Sequence, residues 1–436
     1  MIKRVLGWSF IILFIIYQLS MGSKILAFAG KHNYNAKGIT ITDKGKYFDV
    51  LLDFTSGLTH RQMGEAFAKA LLQVIPNYQV LIDSYIAENI TKYEYPYLLF
   101  RVEDVRLQLK EEYKEEIEGM SSVLCQNNKN IWHDNRLSKD ELYTFNLFPD
   151  TVRSTQCSFV SVYGSRSSTG KTIMGRNLDW YGGSKNQLPQ IQAVITLKYQ
   201  KVRVCSIGYL GFMGILSGFN DNKIFAAIMD STSGAAYDSI GKRSYPFDLR
   251  EALESQKSLA TIANFMKDPE KHYTVNHIIA FSDPIKSIIL ENNFSGDSTQ
   301  RDRRVKRMIR EANSRLNWGI SWGISNAIGS VNSFLLVGNN DNHSSNKFNT
   351  KRWKNMRNQL LSKGSTVTPQ ELKEIMEFKH GRLPGTFMDS GDLYNRMTLQ
   401  MILFQPDNLS LEIFFHSKYT LNNPKHPIFK KIPVFQ

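Results

Sequence analysis

The sequence predicts an α+β fold of four layers, in which two antiparallel sheets lie between outer layers of helices. Strand-like runs rich in β-branched and aromatic residues come first, a helical stretch over 247–266 follows, and hairpins over 277–290 and 397–415 come last. This order of strands, helices and strands again is typical of layered sheets covered by helices. With 436 residues, of which 42% are hydrophobic, the chain can bury a large core.

The first predicted strand covers 47–54, and a helix follows it. Ser56 and Gly57 break the strand, and Thr59 and Gln62 have the spacing of a capping box at a helix start. Beyond Gln62, apolar residues recur along one face with charged residues opposite, as in a helix laid on a sheet or on another helix.

Three more segments precede the central motif. The run 98–124 has a helical pattern, the polar segment 126–135 predicts a loop, and Ser138 and Glu141 repeat the capping-box spacing ahead of a short helix. Together these segments predict a mainly helical piece over 30–156.

The chain is organised around a predicted hairpin that begins at Cys157. A run of β-branched and aromatic residues follows Cys157, the turn 165–170 is rich in serine and glycine, and a second strand carries the motif Gly175–Trp180. The second strand returns Arg176 and Asp179 to the end where Cys157 lies. The sequence therefore predicts a thiol, a cation and a carboxylate within reach of one another.

A thiol needs help to act as a nucleophile at neutral pH, because its ordinary pKa of about 8.5 leaves little thiolate. Arg176 would supply a stabilising charge. The α-amine of Cys157 would be the base, which exists only after the chain is cut between Gln156 and Cys157, and whose pKa of about 7.7–8.0 suits proton transfer. Asp179 would hold that amine. The alternative is that Cys157 is simply a small buried core residue.

This constellation resembles the N-terminal-nucleophile cysteine hydrolases, the group of acid ceramidase, N-acylethanolamine acid amidase, the penicillin acyltransferases and, more distantly, the bile salt hydrolases. Its members share a cysteine followed by small or apolar residues and then Gly-Arg-Asn-Leu/Met-Asp-aromatic, which Gly175–Trp180 match throughout. The resemblance implies their αββα sandwich with a helical N-terminal propiece, a cut before Cys157, and an acyl-thioester on that cysteine.

The segment 211–219 extends the resemblance, since it matches Gly-x-x-Gly-x-Leu-Ser/Thr-Gly-Phe. Glycines are expected there because backbone must approach a substrate or a neighbouring strand closely. The following strand ends at Asp230, where the relatives have a functional glutamate. The resemblance therefore implies a role for Asp230.

A later segment carries two more implied site residues. Asn339 stands in a segment similar to the Thr-Asn-Tyr-Asp of the relatives, whose asparagine helps to hold the oxyanion, a contact worth roughly 3–4 kcal/mol of barrier. Arg352 stands where the relatives have an active-site arginine. The open alternatives are an Asx turn at Asn339, the neighbouring Asn340 in its role, and a surface charge on a helix over 351–361 for Arg352.

The net charge of +14 raises the question of an anionic partner. The basic residues are spread along the chain and none falls in a recognisable nucleic-acid module, so no nucleic acid is predicted. We favour attraction to an anionic membrane surface, with a solvated basic surface as the alternative. The basic run 301–310 and the nearby Trp318 and Trp322 favour docking on a membrane or gating of a lipid-sized pocket, with a solvated helix and loop as the alternative.

Residues 1–29 have the pattern of a signal peptide. Lys3 and Arg4 precede about fifteen mostly apolar positions, which is short for a spanning helix and suits an export signal. Cleavage is expected after the Ala-Phe-Ala of 27–29 or near 20–22. We expect export to a periplasmic, secreted or lysosome-like compartment, and an uncleaved anchor is the alternative.

Three cysteines occur in the whole chain. If Cys157 is kept for chemistry, Cys125 and Cys205 are left either as one disulfide or as two buried thiols. The sequence shows no metal-ligand spacing of cysteines and histidines and no phosphate-cradling glycine motif, so no cofactor is expected.

These observations predict an exported, autoprocessed cysteine amidohydrolase with a propiece over 30–156 and an αββα catalytic domain over 157–436. It would cleave a linear, non-peptide amide bond of an N-acyl substrate, and the resemblance favours a lipid amide such as an N-acylethanolamine or a ceramide. The two pieces would stay associated after the cut. Two alternatives stay open: an acyltransferase that uses the same thioester, and an inactive secreted binding protein on this scaffold.

Overall fold

The structure is a computed structural model that describes residues 32–126, 128–152, 156–231, 238–293, 306–385 and 391–435. The predicted signal peptide at 1–29 and residues 301–305 of the basic run lie outside these ranges.

Strands of the described ranges form two sheets. In chain order they are β1 (Asn33–Ala36), β2 (Ile39–Asp43), β3 (Phe48–Asp53), β4 (Gln156–Val162), β5 (Ile173–Asp179), β6 (Gln192–Lys198), β7 (Arg203–Tyr209), β8 (Ser217–Asn220), β9 (Phe225–Asp230), β10 (His277–Ser282), β11 (Ser287–Asn292), β12 (Arg307–Arg310), β13 (Ala327–Ser330), β14 (Thr398–Gln405), β15 (Ser410–Phe415) and β16 (Lys430–Ile432). The larger sheet has the order β1-β2-β3-β6-β7-β8-β9-β10-β11-β12, and the smaller one has the order β13-β4-β5-β14-β15-β16.

Helices precede, separate and follow these strands. Those of the described ranges are α1 (His60–Val74), α2 (Tyr78–Asn89), α3 (Tyr95–Arg106), α4 (Glu111–Leu124), α5 (Lys139–Asn146), α6 (Phe148–Thr151), α7 (Gln187–Gln190), α8 (Tyr245–Ser255), α9 (Leu259–Lys267), α10 (Lys347–Leu361) and α11 (Pro369–Met376).

The two sheets face each other and helices cover their outer faces. Phe219 of β8 stacks on Phe404 of β14 with 4.3 Å between ring centroids, which joins the sheets through apolar side chains. Helices α1, α8 and α9 contact the larger sheet, and α10 and α11 contact the smaller one. The predicted four-layer αββα arrangement is confirmed.

Alternation along β4 decides which way each of its side chains points. Cys157 and Phe159 belong to the large core cluster that includes the space between the sheets. Val160 and Val162 pack instead in the cluster formed with α10 and α11. Because successive strand residues point to opposite faces, the fold directs the Cys157 side chain towards the other sheet.

The piece before Cys157 is not formed by helices alone. Strands β1, β2 and β3 make one edge of the larger sheet, and β3 pairs in parallel with β6, with Phe48 opposite Ala193. The sequence had indicated only the last of these three strands. The N-terminal piece is therefore mixed in structure and shares a continuous sheet with the residues after Cys157.

Helix α1 begins where the capping-box spacing predicts. The Thr59 hydroxyl accepts from the Gln62 N–H at 3.2 Å, and the Gln62 side chain accepts from the Thr59 N–H at 3.0 Å.

Helix α1 crosses helix α4 in close contact at two glycines, Gly64 and Gly119. A Cβ atom on Gly64 would lie 2.0 Å from the carbonyl oxygen of Glu116, and Gly119 meets the backbone of α1 in the same way. Only glycine allows this close crossing.

Each of two predicted helical runs is divided into two helices. The run over 98–124 consists of α3 and α4, and the run over 247–266 consists of α8 and α9. Ser258 starts α9, since its hydroxyl accepts from the Thr261 N–H at 3.2 Å. Within the described ranges, no helix combines the length and apolar character that crossing a bilayer requires.

Candidate active site

Cys157 is the second residue of β4, and its side chain is almost completely buried. In the β4–β5 hairpin it lies opposite Leu178, while Gln156 lies opposite Asp179. Because strand side chains alternate between faces, Arg176 shares a face with Cys157, whereas Asp179 shares a face with Gln156. The hairpin thus brings the three predicted groups to one end, but on two faces.

The guanidinium of Arg176 lies against the Cys157 sulfur. Its Nη2 donates to Sγ at 3.5 Å and to the carbonyl oxygen of Ile228 at 2.9 Å. Burial raises the pKa of the Cys157 thiol above its ordinary value, while the positive charge of Arg176 lowers it and the negative charge of Asp179 raises it. Burial has the largest effect, so the buried thiol stays protonated and Arg176 reduces the cost of ionising it.

Asp179 is completely buried and its carboxylate is held by three side chains. Thr398 donates to Oδ1 at 2.7 Å, and Asn395 donates to Oδ2 at 2.8 Å. The Nη2 atom of Arg352 lies 3.5 Å from Oδ2. Burial raises the pKa of Asp179, and these three partners lower it. The carboxylate is therefore fixed beside the Gln156–Cys157 peptide bond.

Arg352 donates hydrogen bonds to the residues on both sides of the Gln156–Cys157 peptide bond. Its Nη2 donates to the carbonyl oxygen of Cys157 at 2.5 Å, and its Nη1 donates to the side-chain oxygen of Gln156 at 2.9 Å. The side chain is completely buried on the inner face of α10. The alternative of a surface charge at this position therefore does not apply.

Asn332 lies beside Cys157 and was not indicated by the sequence. Its Oδ1 accepts from the peptide N–H of Cys157 at 2.6 Å and from Arg352 Nη1 at 3.2 Å. It follows β13, which pairs with β4 and so delivers the next residues to the start of that strand. In the sequence, Asn332 is recognisable only as a polar residue just after a short apolar run. Many turns have this pattern, so it does not indicate a site residue.

Asn339 makes no hydrogen bond with Cys157 among the described residues. Its Nδ2 donates to the Glu291 carboxylate at 3.5 Å, and its Oδ1 accepts from the Asn340 N–H at 3.0 Å. Glu291 is completely buried and attracts the donors of this loop. Asn332 therefore occupies the place beside the cysteine, and the oxyanion role of Asn339 stays a prediction.

Asp230 ends β9 and connects to the site through its backbone. Its carbonyl oxygen accepts from Asn332 Nδ2 at 2.7 Å, and it lies opposite His277 of β10. The residue is buried. Asp230 thus fixes the Asn332 amide, which in turn holds the Cys157 nitrogen.

A small apolar cavity lies beside the hairpin. Its volume is about 30 Å³, close to the share of liquid volume that one water occupies. Residues from both sides of the predicted cut line it: Tyr85, Phe145, Phe148 and Pro149 come before Cys157, and Trp180, Leu188, Tyr209, Phe212 and Leu216 come after it. Trp180 directly follows Asp179, so the cavity adjoins the site.

Four donor atoms at the site have no hydrogen-bond partner among the described residues. They are Nε and Nη1 of Arg176, Nε of Arg352 and the hydroxyl of Tyr209, and all four are buried. Burial raises the pKa of Tyr209, Arg176 lowers it and Cys157 raises it, as expected for a hydroxyl near both groups. An unpaired buried donor costs about 1–3 kcal/mol, so acceptor atoms of a bound ligand would stabilise this arrangement.

The other two cysteines take no part in this site. Cys125 follows α4, Cys205 lies in β7, and both are buried free thiols. The disulfide left open by the sequence is therefore not formed. Within the described ranges, no group of three or more His, Cys, Asp and Glu side chains is arranged to hold a metal ion.

Comparison with solved structures finds chains of similar arrangement. An N-acylethanolamine-hydrolyzing acid amidase ortholog from Caenorhabditis elegans is 15% identical with a TM-score of 0.40, covering 57% of this chain and 93% of that chain. A variant of the conjugated bile acid hydrolase from Clostridium perfringens is 14% identical with a TM-score of 0.37, covering 64% and 96%. Penicillin V acylase from Agrobacterium tumefaciens is 12% identical with a TM-score of 0.35, covering 59% and 83%.

No protein-family model and no curated protein matches the chain. The names of these solved structures, an acylethanolamine amidase, a bile acid hydrolase and a penicillin acylase, are among those of the group that the sequence motifs resemble.

Proposed function

We propose that this chain is an autoprocessed cysteine amidohydrolase that cleaves the linear C–N amide bond of an N-acyl substrate. The observation that carries the proposal is the set of contacts around one peptide bond. The Cys157 sulfur meets Arg176, its N–H meets Asn332, and its carbonyl oxygen meets Arg352. A buried thiol with cations and an amide converging on it has the groups that acyl transfer to sulfur requires.

In the first step the chain would cut itself before Cys157. The Cys157 sulfur attacks the carbonyl carbon of Gln156, the C–N bond breaks as the C–S bond of a thioester forms, and the thiol proton passes to the leaving nitrogen. Water then hydrolyses the thioester, which leaves a carboxylate on Gln156 and restores the thiol. The hydrogen bond to Asn332 keeps the leaving nitrogen in place throughout.

In the second step the new α-amine of Cys157 would act as base and then as acid. The amine takes the thiol proton, the sulfur attacks the amide carbon of the substrate, and the amine returns a proton to the leaving amine. Water then hydrolyses the acyl-thioester. An amine pKa of about 7.7–8.0 allows both transfers near neutral pH, and the unpaired N–H groups of Arg176 would donate to the oxygen where negative charge develops.

The apolar cavity favours a lipid amide such as an N-acylethanolamine or a ceramide. Its lining is aromatic and aliphatic and includes Tyr209, which interacts electrostatically with Cys157, so an acyl chain attached to the sulfur would extend towards it. At about 30 Å³ it is too small for such a chain. We expect Phe148 and Pro149, which lie just before the cut, to move aside once the chain is cleaved.

We propose that the two pieces stay together after the cut. The carboxylate of Glu116 in α4 accepts two hydrogen bonds from Arg250 in α8, at 2.6 and 2.8 Å, and both side chains are completely buried. The sheet pairing of β3 with β6 also crosses the cut. Contacts of this kind do not depend on the severed peptide bond.

We also propose that the protein is exported, because residues 1–29 have the composition of a signal peptide. Fractionation of the host cell, followed by N-terminal sequencing of the recovered protein, tests this. Recovery of a chain that still begins at Met1 and sediments with membranes would favour the anchor instead.

Intact-mass analysis of the purified chain tests the class of enzyme. We expect a break between Gln156 and Cys157 that the substitution Cys157→Ala abolishes. The matched controls are Cys125→Ala and Cys205→Ala, which remove equally buried thiols and should leave the cut unchanged. An unbroken chain whose Cys157 also fails to react with a thiol-directed acylating probe would support an inactive binding protein.

Release of free acid from candidate amides then tests the substrate class. We expect an N-acylethanolamine or a ceramide to be hydrolysed faster than a bile salt amide or a peptide, and Cys157→Ala to abolish release. Added amines test the acyltransferase alternative, because they would divert the product from free acid to a new amide.

A further inference from the structure

A groove on the outer side of α10 is not used by the proposed chemistry. It has a volume of about 840 Å³ and lies between α10, the loop around Trp318 and the turn around His343. The indole of Trp318 is 96% exposed, the highest value among the exposed large apolar side chains. An exposed indole offers a large apolar contact surface with a polar N–H at its edge, which suits an environment that is partly apolar and partly wet.

The chain holds this tryptophan in a fixed position. The Asn317 N–H donates to the Leu335 carbonyl at 2.8 Å, and the Ile320 N–H donates to the Asn317 carbonyl at 3.1 Å. The neighbouring Trp322 is buried and donates to the Ala327 carbonyl at 2.8 Å. The loop is therefore ordered on both sides of Trp318, while the indole itself points outwards.

Positive charge lines the same side of the molecule. Helix α10 contains no aspartate or glutamate. Apart from Arg352, which points to the active site, its basic residues are Lys347, Lys351, Lys354 and Arg357. Lys347 and Lys354 lie one above the other on its exposed face, and neither has an ion pair within the described ranges. Lys354 and Arg357 line the groove itself.

The one carboxylate of the groove is already engaged. Asp341 accepts from the backbone N–H groups of His343 and Ser344 and from the Ser344 hydroxyl, at 2.7 to 3.0 Å. These contacts lower the pKa of Asp341. Lys347 and Lys354, which form no ion pair within the described ranges, are thus left to attract an external anion.

We propose that this groove and the exposed face of α10 dock the protein on an anionic lipid surface. Trp318 lies at the level of the headgroups, where indole rings are favoured, and Lys347, Lys354 and Arg357 lie over the negative charges. Charge complementarity identifies the occupant, because a basic face beside an ordered, exposed indole suits a surface that is both anionic and apolar. This inference does not depend on the proposed amidase activity.

Docking on this face would also orient the active site. Arg352 projects from the opposite side of α10 and donates to the carbonyl oxygen of Cys157. The width of one helix therefore separates the lipid surface from the catalytic hairpin.

Sedimentation with vesicles tests the proposal with the full chain. We expect binding to phosphatidylcholine vesicles that contain about 30% phosphatidylglycerol, little binding to phosphatidylcholine alone, and release as salt is raised. The double substitution Lys347→Gln and Lys354→Gln should weaken binding about 25-fold, at about fivefold for each charge lost. Trp318→Ala should weaken it about tenfold.

Control variants test whether vesicle binding depends on this face or only on the net positive charge of the protein. Lys69 and Lys201 are exposed elsewhere, and their double substitution to glutamine should leave binding nearly unchanged, as should Tyr419→Ala, which removes an aromatic side chain that is 62% exposed. Equal losses in the control and the α10 variants, no binding to anionic vesicles, or binding to a soluble polyanion with none to vesicles would each overturn the proposal. Unchanged thermal unfolding of each variant excludes misfolding as the cause.

Discussion

The side-chain oxygen of Asn332 accepts a hydrogen bond from the peptide N–H of Cys157, with 2.6 Å between oxygen and nitrogen. The nitrogen that the proposed cut would release is thus held before the cut is made. Arg352 donates to the same oxygen, and Asp230 fixes the other end of the amide. One buried asparagine therefore links β4, β9 and α10 at the bond to be broken.

Removal of this amide should slow the self-cleavage of the chain. For Asn332→Ala we expect a loss of about 5–160-fold in the rate, because a buried hydrogen bond at the leaving nitrogen contributes about 1–3 kcal/mol. The appearance of the cut species by intact mass measures it. Asn220→Ala is the matched control, since its buried side chain donates to the Leu253 carbonyl and accepts from the Ile224 N–H, and an equal loss in that variant would contradict the assignment to Asn332.

Removal of the cation beside the sulfur should shift the pH at which the thiol reacts. Arg176 lowers the pKa of Cys157, so Arg176→Gln should raise it further. When the cleaved enzyme is labelled with a thiol-directed probe, the pH at which the labelling rate rises should then be higher for the variant than for the unchanged protein. Arg166→Gln, at a partly exposed arginine of the hairpin turn, should leave the profile in place, and identical profiles in all three proteins would exclude the role of Arg176.

Removal of the Tyr209 hydroxyl should not weaken the folded protein but should weaken substrate binding. Because it is buried without a partner in the described structure, Tyr209→Phe should leave the free energy of unfolding unchanged or increase it. If the hydroxyl donates to bound substrate, the same change should raise KM, by about 5–160-fold if a hydrogen bond of about 1–3 kcal/mol is lost. Urea unfolding and steady-state kinetics measure the two effects. An unchanged KM would mean that the hydroxyl does not contact the substrate.

The stability of the folded chain should fall as pH rises from about 4 to about 8. Burial raises the pKa of Asp150 to about 8 and that of Glu141 to about 7, whereas both groups ionise near pH 4 in the unfolded chain. Over this range the folded protein holds protons that the unfolded chain has lost, so the free energy of unfolding decreases with pH. Urea unfolding at about pH 5 and about pH 8 measures it. Asp150→Asn should flatten the dependence, and an unaltered slope would contradict the buried, protonated state of Asp150.

The buried ion pair between Glu116 and Arg250 should hold the two pieces together. Glu116→Ala leaves the Arg250 cation buried without its main partner, which typically costs about 3–5 kcal/mol. Glu311→Ala is the control, since its pair with Lys286 is exposed and worth at most about 1 kcal/mol. Thermal unfolding measures both, and gel filtration shows whether the cleaved pieces separate. Equal effects of the two substitutions would contradict the role of the buried pair.

Patterns formed by residues close together in the chain predicted the start of helix α1 and the β4–β5 hairpin. The capping box of Thr59 and Gln62 starts α1 in the expected place, because both partners lie within one turn of each other. The hairpin from Cys157 to Asp179 has the expected pairing, because its turn residues and β-branched runs are adjacent in the chain. Arg176 and Asp179 could therefore be placed near the thiol from the sequence alone.

Contacts between distant segments were not predictable in the same way. Asn332 reaches Cys157 only because β13 pairs with β4, and no short-range pattern encodes that pairing. The run 301–310 was expected to dock on a membrane or gate a lipid-sized pocket, with a solvated helix and loop as the alternative. Residues 307–310 form strand β12 rather than a helix, and Arg310 pairs with the buried Glu291 at 2.9 Å. The choice between these outcomes depends on a partner that is distant in the chain.

The parallel pairing of β3 with β6 has a consequence for how the halves of this protein could be produced. Because the two strands are neighbours in the sheet but lie on different sides of the Gln156–Cys157 bond, either half synthesised alone would expose an unpaired strand edge. Such an edge favours self-association. Co-expression of the two halves as separate polypeptides should therefore rescue solubility by fragment complementation, whereas mixing halves that were purified singly should yield mostly aggregate.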